Sequence, residues 1–179
     1  QGTTIEIEKA DNKEFTLYIR YPYWASKGIS ISVNGEKLDV DSSPSSFIPI
    51  KRVWNSGDKV SVQIPFSLEL QTMPDDENRV AVFYGPVVLA GDLGPDNDPN
   101  ASDPNYVPVL ITESRNPQDW MTPVDNEPNT FTVSEKITQS RNFDLKPFYK
   151  THGRNYSVYW DIFTEEGWKQ RQIEYKEEL

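Results

Sequence analysis

The feature that most constrains this chain is period-two alternation in short runs, each closed by turn chemistry. Thr3-Thr4-Ile5-Glu6-Ile7-Glu8 alternates, as do Phe15-Thr16-Leu17-Tyr18-Ile19-Arg20 and Ile29-Ser30-Ile31-Ser32-Val33. Alternation turns one face of a strand inward and leaves the other wet, the pattern of an antiparallel sheet. The third run ends at Asn34-Gly35, the strongest short hairpin signal, and predicts a return over Leu38–Val40. Ser46–Ile50 is a short strand that Pro49 assigns to an edge or a bulge. The turn Trp54-Asn55-Ser56-Gly57-Asp58 leads into a strand over Val60–Phe66, and Ser67–Thr72 continues extended. Arg79–Tyr84 and Pro86–Gly91 are apolar runs hinged at Gly85-Pro86, a bend that lets the chain cross between sheets. Helical periodicity is absent here, so the spacing predicts an all-β, jelly-roll-like antiparallel β-sandwich.

Residues 92–106 break the pattern with three prolines among Asp and Asn. They predict a linker over 93–106 between a lobe at 1–92 and a second β-rich lobe at 107–179, two packed lobes in all. The second lobe has strands at Val107–Thr112, Thr130–Val133 and Tyr156–Phe163. Its end changes period: Thr164 caps a short C-terminal helix through Lys176, with Glu165 and Glu166 at the positive end. Trp168, Gln172, Tyr175 and Leu179 form one stripe on it, suited to docking on a sheet.

Composition excludes several functions. Eighteen basic against 28 acidic residues leave a net charge of −10. Phosphate backbones and anionic membranes repel such a surface, so neither nucleic acid nor membrane is an expected partner. The chain has no cysteine and one histidine, His152. Thiolate zinc sites, cysteine nucleophiles and His clusters are thereby removed. His152 precedes Gly153 and reads as a turn residue, because no glycine-flanked serine marks a nucleophile.

Acidic pairs are the remaining route to hydrolysis. Most of the acids, including Asp75, Asp76, Glu77 and Asp103, sit in turns, where they cap backbone amides. Asp161 lies on a strand, on the wet face opposite Trp160 and Ile162. No catalytic residue is assigned. No cofactor is expected beyond a loose calcium reading at Asp96, Asp98 and Asn100, whose sequence lacks the glycine and glutamate of an EF-hand.

The aromatics have two readings, core or domain interface on one side and a sugar-stacking platform on the other. Tyr159 and Trp160 are neighbours on one strand and must face opposite ways. Trp24, Tyr159 and Trp160 are the stacking candidates, with a glycan as the partner they would meet.

One set of motifs carries a resemblance. Leu17-Tyr18-Ile19-Arg20-Tyr21-Pro22-Tyr23-Trp24-Ala25, with Arg20, Pro22 and Trp24 at its marked places, resembles a strand of glycoside hydrolase family 127. So do Val33-Asn34-Gly35-Glu36, Arg52-Val53-Trp54-Asn55-Ser56-Gly57-Asp58 and the run from Val80 through Gly85-Pro86 to Gly91, in the same order. Leu145–Tyr149, His152 and Tyr156–Trp160 resemble the closing segment, except that Asn155 stands where a basic residue is expected, with Arg154 one place earlier. The resemblance implies a β-L-arabinofuranosidase-like parent, with an α/α barrel of the same polypeptide as this region's partner. In that family the cysteine nucleophile, glutamate acid/base and cysteine-rich zinc site lie in the barrel. None can be carried over to a position here, and this region is expected to be a non-catalytic accessory sandwich. An external glycan substrate would imply a periplasmic or secreted parent.

Overall fold

The computed structural model describes residues 1–177. The chain is all-β and divides into two compact units, residues 1–67 and 68–179.

The first unit has six strands: β1 (Gly2–Glu6), β2 (Lys13–Tyr21), β3 (Ser30–Val33), β4 (Glu36–Lys37), β5 (Ser46–Trp54) and β6 (Lys59–Gln63). Four form an antiparallel sheet in the order β1-β6-β3-β4, and β2 pairs with β5 along nine residues. Alternation does what the sequence demands. Ile31, Val33, Val60 and Val62 point inward from the four-stranded sheet, and Ile19, Tyr21, Ile48, Ile50 and Trp54 from the other two strands, to make one core. Fully burying each such side chain contributes about 1.5–3 kcal/mol. Pro49 does sit on an edge strand, opposite Tyr18.

Two expectations change. The return after Asn34-Gly35 is only Glu36–Lys37, with Leu38–Val40 outside any strand. The strand at Ser46 runs on to Trp54, because its alternation carries through to that buried indole.

The second unit holds β7 (Leu68–Thr72), β8 (Arg79–Tyr84), β9 (Val87–Pro95), β10 (Leu110–Ile111), β11 (Met121–Pro123), β12 (Phe131–Val133), α1 (Glu135–Thr138), β13 (Phe143–Pro147), β14 (Arg154–Ser157), β15 (Tyr159–Phe163) and α2 (Glu165–Glu177). Its strands join one branched sheet, antiparallel except where β10 meets β15. Gly85-Pro86 is the two-residue turn of the β8–β9 hairpin, with Tyr84 opposite Val87. Gly85 takes φ +57° and the following ring enforces a negative φ, the signs of a type II′ turn. It is therefore a hairpin within one sheet, not a crossing between sheets.

That hairpin opens into a fork beyond Val82 and Leu89. β15 pairs with β8 in one arm, and β14 pairs with β9 in the other. The stretch Tyr156–Phe163, expected as one strand, breaks at Val158 because it changes partner there. The boundary expected at 93–106 is corrected for a related reason. The β8–β9 hairpin pairs with β13, β14 and β15, and β7 pairs with β8, so the chain divides before β7, at Ser67/Leu68. Residues 96–106 are a loop of the second unit. Tyr106 Oη donates to Leu93 O at 2.7 Å, and Arg141 donates to Tyr106 O at 2.9 Å. No described helix is long and apolar enough to cross a membrane.

Candidate functional site

The family-like motifs of the first unit resolve into turn architecture. Asn34 and Gly35 take φ +53° and +86°, both positive as a type I′ hairpin requires. Asn34 Nδ2 donates to Asp58 Oδ1 at 2.8 Å, and Lys59 N donates to Asn34 Oδ1 at 2.8 Å. Asp58 Oδ2 accepts from Asn55 N at 2.8 Å, while Gly57 turns at φ +90°. The Asn55 amide, then the Asn34 side chain, hold the Asp58 carboxyl below its ordinary range. Trp54 is fully buried, stacked on Phe15, with its indole N–H donating to Phe15 O at 3.0 Å.

In the same unit Trp24 is half-buried, edge-on to Phe66 at 5.2 Å. Arg20 is exposed on β2, and Pro22 is half-buried beyond its end.

The second unit separates Tyr159 from Trp160. Tyr159 is 51% exposed; Trp160 has no exposed surface and stacks on Phe143 at 4.6 Å. Trp160 therefore cannot stack a sugar and is withdrawn as a binding candidate. A Cβ on Gly91 would come within 2.4 Å of the Trp160 ring, so the indole lies on a residue that must lack a side chain. Next to Gly91, Asp92 accepts from Lys146 Nζ at 3.1 Å and from the Arg154 guanidinium at 2.8 Å. Burial pushes its carboxyl up, but bonds to Arg154, Lys146 and the Gly94 amide outweigh that and hold it low. The β9–β14 register shifts between Asn155 and Tyr156, and Arg154, one place before Asn155, reaches Asp92 with its Nε at 2.9 Å.

Tyr159 lines a groove of about 880 Å³ together with Trp168, Gln172 and Tyr175 from α2. Thr164 caps that helix, its Oγ1 accepting from Gly167 N at 3.0 Å. The stripe Trp168, Gln172 and Tyr175 thus shares a face as its spacing predicts; Trp168 packs on Phe163 of β15 at 5.7 Å, while no residue of α2 is fully buried and the stripe borders a groove. Leu179 lies outside the described residues. Asp161 also lines the groove and forms a two-bond ion pair with Arg79, at 2.9 and 3.2 Å. That pairing raises the Arg79 pKa further, through the Asp161 hydrogen bonds first and its charge second.

At the calcium candidates the Asp98 carboxylate is taken up by hydrogen bonds of its own loop. Asp98 Oδ1 accepts from Asn100 N and Nδ2, and its Oδ2 from Tyr106 Oη. Those bonds, the Asn100 amide first, also lower its pKa. Asp98 is a turn cap, and no group of three or more His, Asp or Glu that could hold a metal is found among the described residues. With no cysteine, the chain has no ligands for the thiolate zinc site either.

Of these features the motif turns were legible as strings. The groove was not, because Tyr159, Arg79 and the α2 residues are joined only by the fold.

Comparison with known proteins adds two family matches and a set of structural likenesses. Residues 1–66 match the family described as beta-L-arabinofuranosidase, GH127 middle domain. Residues 100–162 match a domain of unknown function. Among solved structures, a GH127 beta-L-arabinofuranosidase from Geobacillus stearothermophilus T6 is 21% identical, with a TM-score of 0.57 over 84% of this chain. A GH127 beta-arabinofuranosidase is 20% identical, with a TM-score of 0.61 over 87% of it. A protein described as a glycoside hydrolase is 16% identical, with a TM-score of 0.56 over 83%. At these identities the likeness is one of fold. The chain spans only 27%, 29% and 28% of those three proteins. No curated protein matches it.

Proposed function

We propose that this chain, whose residues 1–66 match the GH127 middle domain, is a non-catalytic accessory region of a larger glycoside hydrolase acting on arabinose-containing plant glycans. Its role is to support the catalytic barrel of the same polypeptide. The observation that carries this reading is the partial span. Solved relatives described as GH127 arabinofuranosidases are about three and a half times the length that this chain covers in them.

The chemistry agrees. Retaining and inverting glycosidases alike need a pair of carboxyl groups placed across one bond, or an equivalent nucleophile. Here the carboxylates of Asp58, Asp92 and Asp161 are each occupied by hydrogen bonds that hold turns or strands together. No cysteine is present to act as a nucleophile.

The test is turnover. The purified chain is expected to release no product from an aryl β-L-arabinofuranoside, and the upstream part of the same reading frame to encode a helical barrel bearing cysteine and glutamate. Turnover abolished by one substitution in this chain, or an upstream domain of another catalytic type, would overturn the proposal. A second reading, that the chain itself contacts glycan, is favoured by the aromatic groove beside Tyr159.

A further inference from the structure

We propose that the groove between β15 and α2 is a binding site for a neutral oligosaccharide. Three aromatic residues meet there: Tyr159 and Tyr175, 51% and 41% exposed, and the half-buried Trp168. The C–H faces of a sugar ring pack on such rings, and partly exposed rings can do so without repacking the core. Arg171 sits 4.2 Å from the Tyr175 centroid and steadies that ring from one side.

Charge selects the ligand class. The protein carries ten excess negative charges, yet among the described residues the only charged ones lining the groove are Arg79 and Asp161, which neutralise each other. A second groove, on the side of α2 that bears Arg171 and Glu174, is instead crowded with ions, including Asp76, Glu113 and Arg115. The neutral groove offers uncharged hydrogen-bonding groups: the amides of Asn105, Gln139 and Gln172, and the hydroxyl of Ser140. Planar amides beside aromatic rings suit the alternating hydroxyl and C–H surface of a sugar. An anionic ligand would find no unpaired cation among the described lining residues, and a purely apolar one would strand those amides. The volume, about 880 Å³, suits a short oligosaccharide.

The choice of an arabinose-containing probe rests on the proposed function; the groove itself does not. The full chain is titrated calorimetrically with arabino-oligosaccharides, xylo-oligosaccharides and oligogalacturonides. Saturable binding of a neutral series, with the anionic one bound at least about tenfold more weakly, is the expected result. Tyr159→Ala and Gln172→Ala should each weaken it by about tenfold at unchanged Tm, since both side chains are exposed and outside the core. Xylo- in place of arabino-oligosaccharide binding supports the site while counting against the arabinose parent. The site is overturned if no neutral series binds, if the oligogalacturonide binds as well, or if both variants bind like the wild type. None of those outcomes touches the accessory role, which the turnover assay tests.

Discussion

Each unit contains one tryptophan with no exposed surface, and the two are held in different ways. Trp54 stands at the end of β5, where its indole N–H reaches a main-chain carbonyl, Phe15 O, at 3.0 Å. Trp160 stands inside β15, paired opposite Val80, and its indole N–H has no partner. The contrast follows from position. At a strand end the indole reaches past its own pair to the facing backbone; within a ladder, carbonyls are spent on neighbouring strands and the ring meets only side chains. Trp54 is thus a polar-satisfied plug, and Trp160 is held by shape alone, between Phe143 and the bare backbone of Gly91. The price of that shape is one stranded donor.

The contrast can be broken most forcefully at Trp160 itself. Trp160→Ala should cost about 3–5 kcal/mol in urea denaturation, the usual range for emptying an aromatic core position. A loss under about 1 kcal/mol would mean that the Phe143 stack does not hold the second unit. Gly91→Ala comes next, at about 1–3 kcal/mol, because its Cβ must displace a ring with no room to move. The phenylalanine replacements sharpen the comparison. Trp54→Phe and Trp160→Phe remove equal volumes, but only the first strands a carbonyl partner, so it should be the more damaging by about 1 kcal/mol. Equal losses would show that the Trp54 hydrogen bond contributes nothing.

Asp92 provides the smallest and most pH-dependent effect. Its folded pKa is depressed, so its contribution is complete above the unfolded carboxyl value of about 3.9 and is lost as pH falls through the folded value. Asp92→Asn should cost about 1 kcal/mol at pH 7, an estimate reduced for the solvent that reaches Arg154 and Lys146. The cost should shrink below pH 4, as the wild-type carboxylate protonates. Thermal melts of both proteins from pH 7 to pH 2 measure this, and parallel curves would remove Asp92 from the acid response.

Much of the first unit was legible in the string. The sequence by itself determined the alternating strands, the Asn34-Gly35 hairpin, the Gly57 turn and the capping of α2 by Thr164. Each is a local matter of side-chain period or permitted φ, settled within a few residues. Tertiary structure alone decided where the chain divides, since the residues of β13, β14 and β15 that pair with the β8–β9 hairpin lie 50 or more residues downstream of their partners in it. It decided that Tyr156–Phe163 is two strands, because the fork that splits it is made by another segment. It also decided the fates of Tyr159 and Trp160. Period two says that adjacent aromatics face opposite ways; only packing says which face is filled by Phe143 and Gly91, and which opens on a groove.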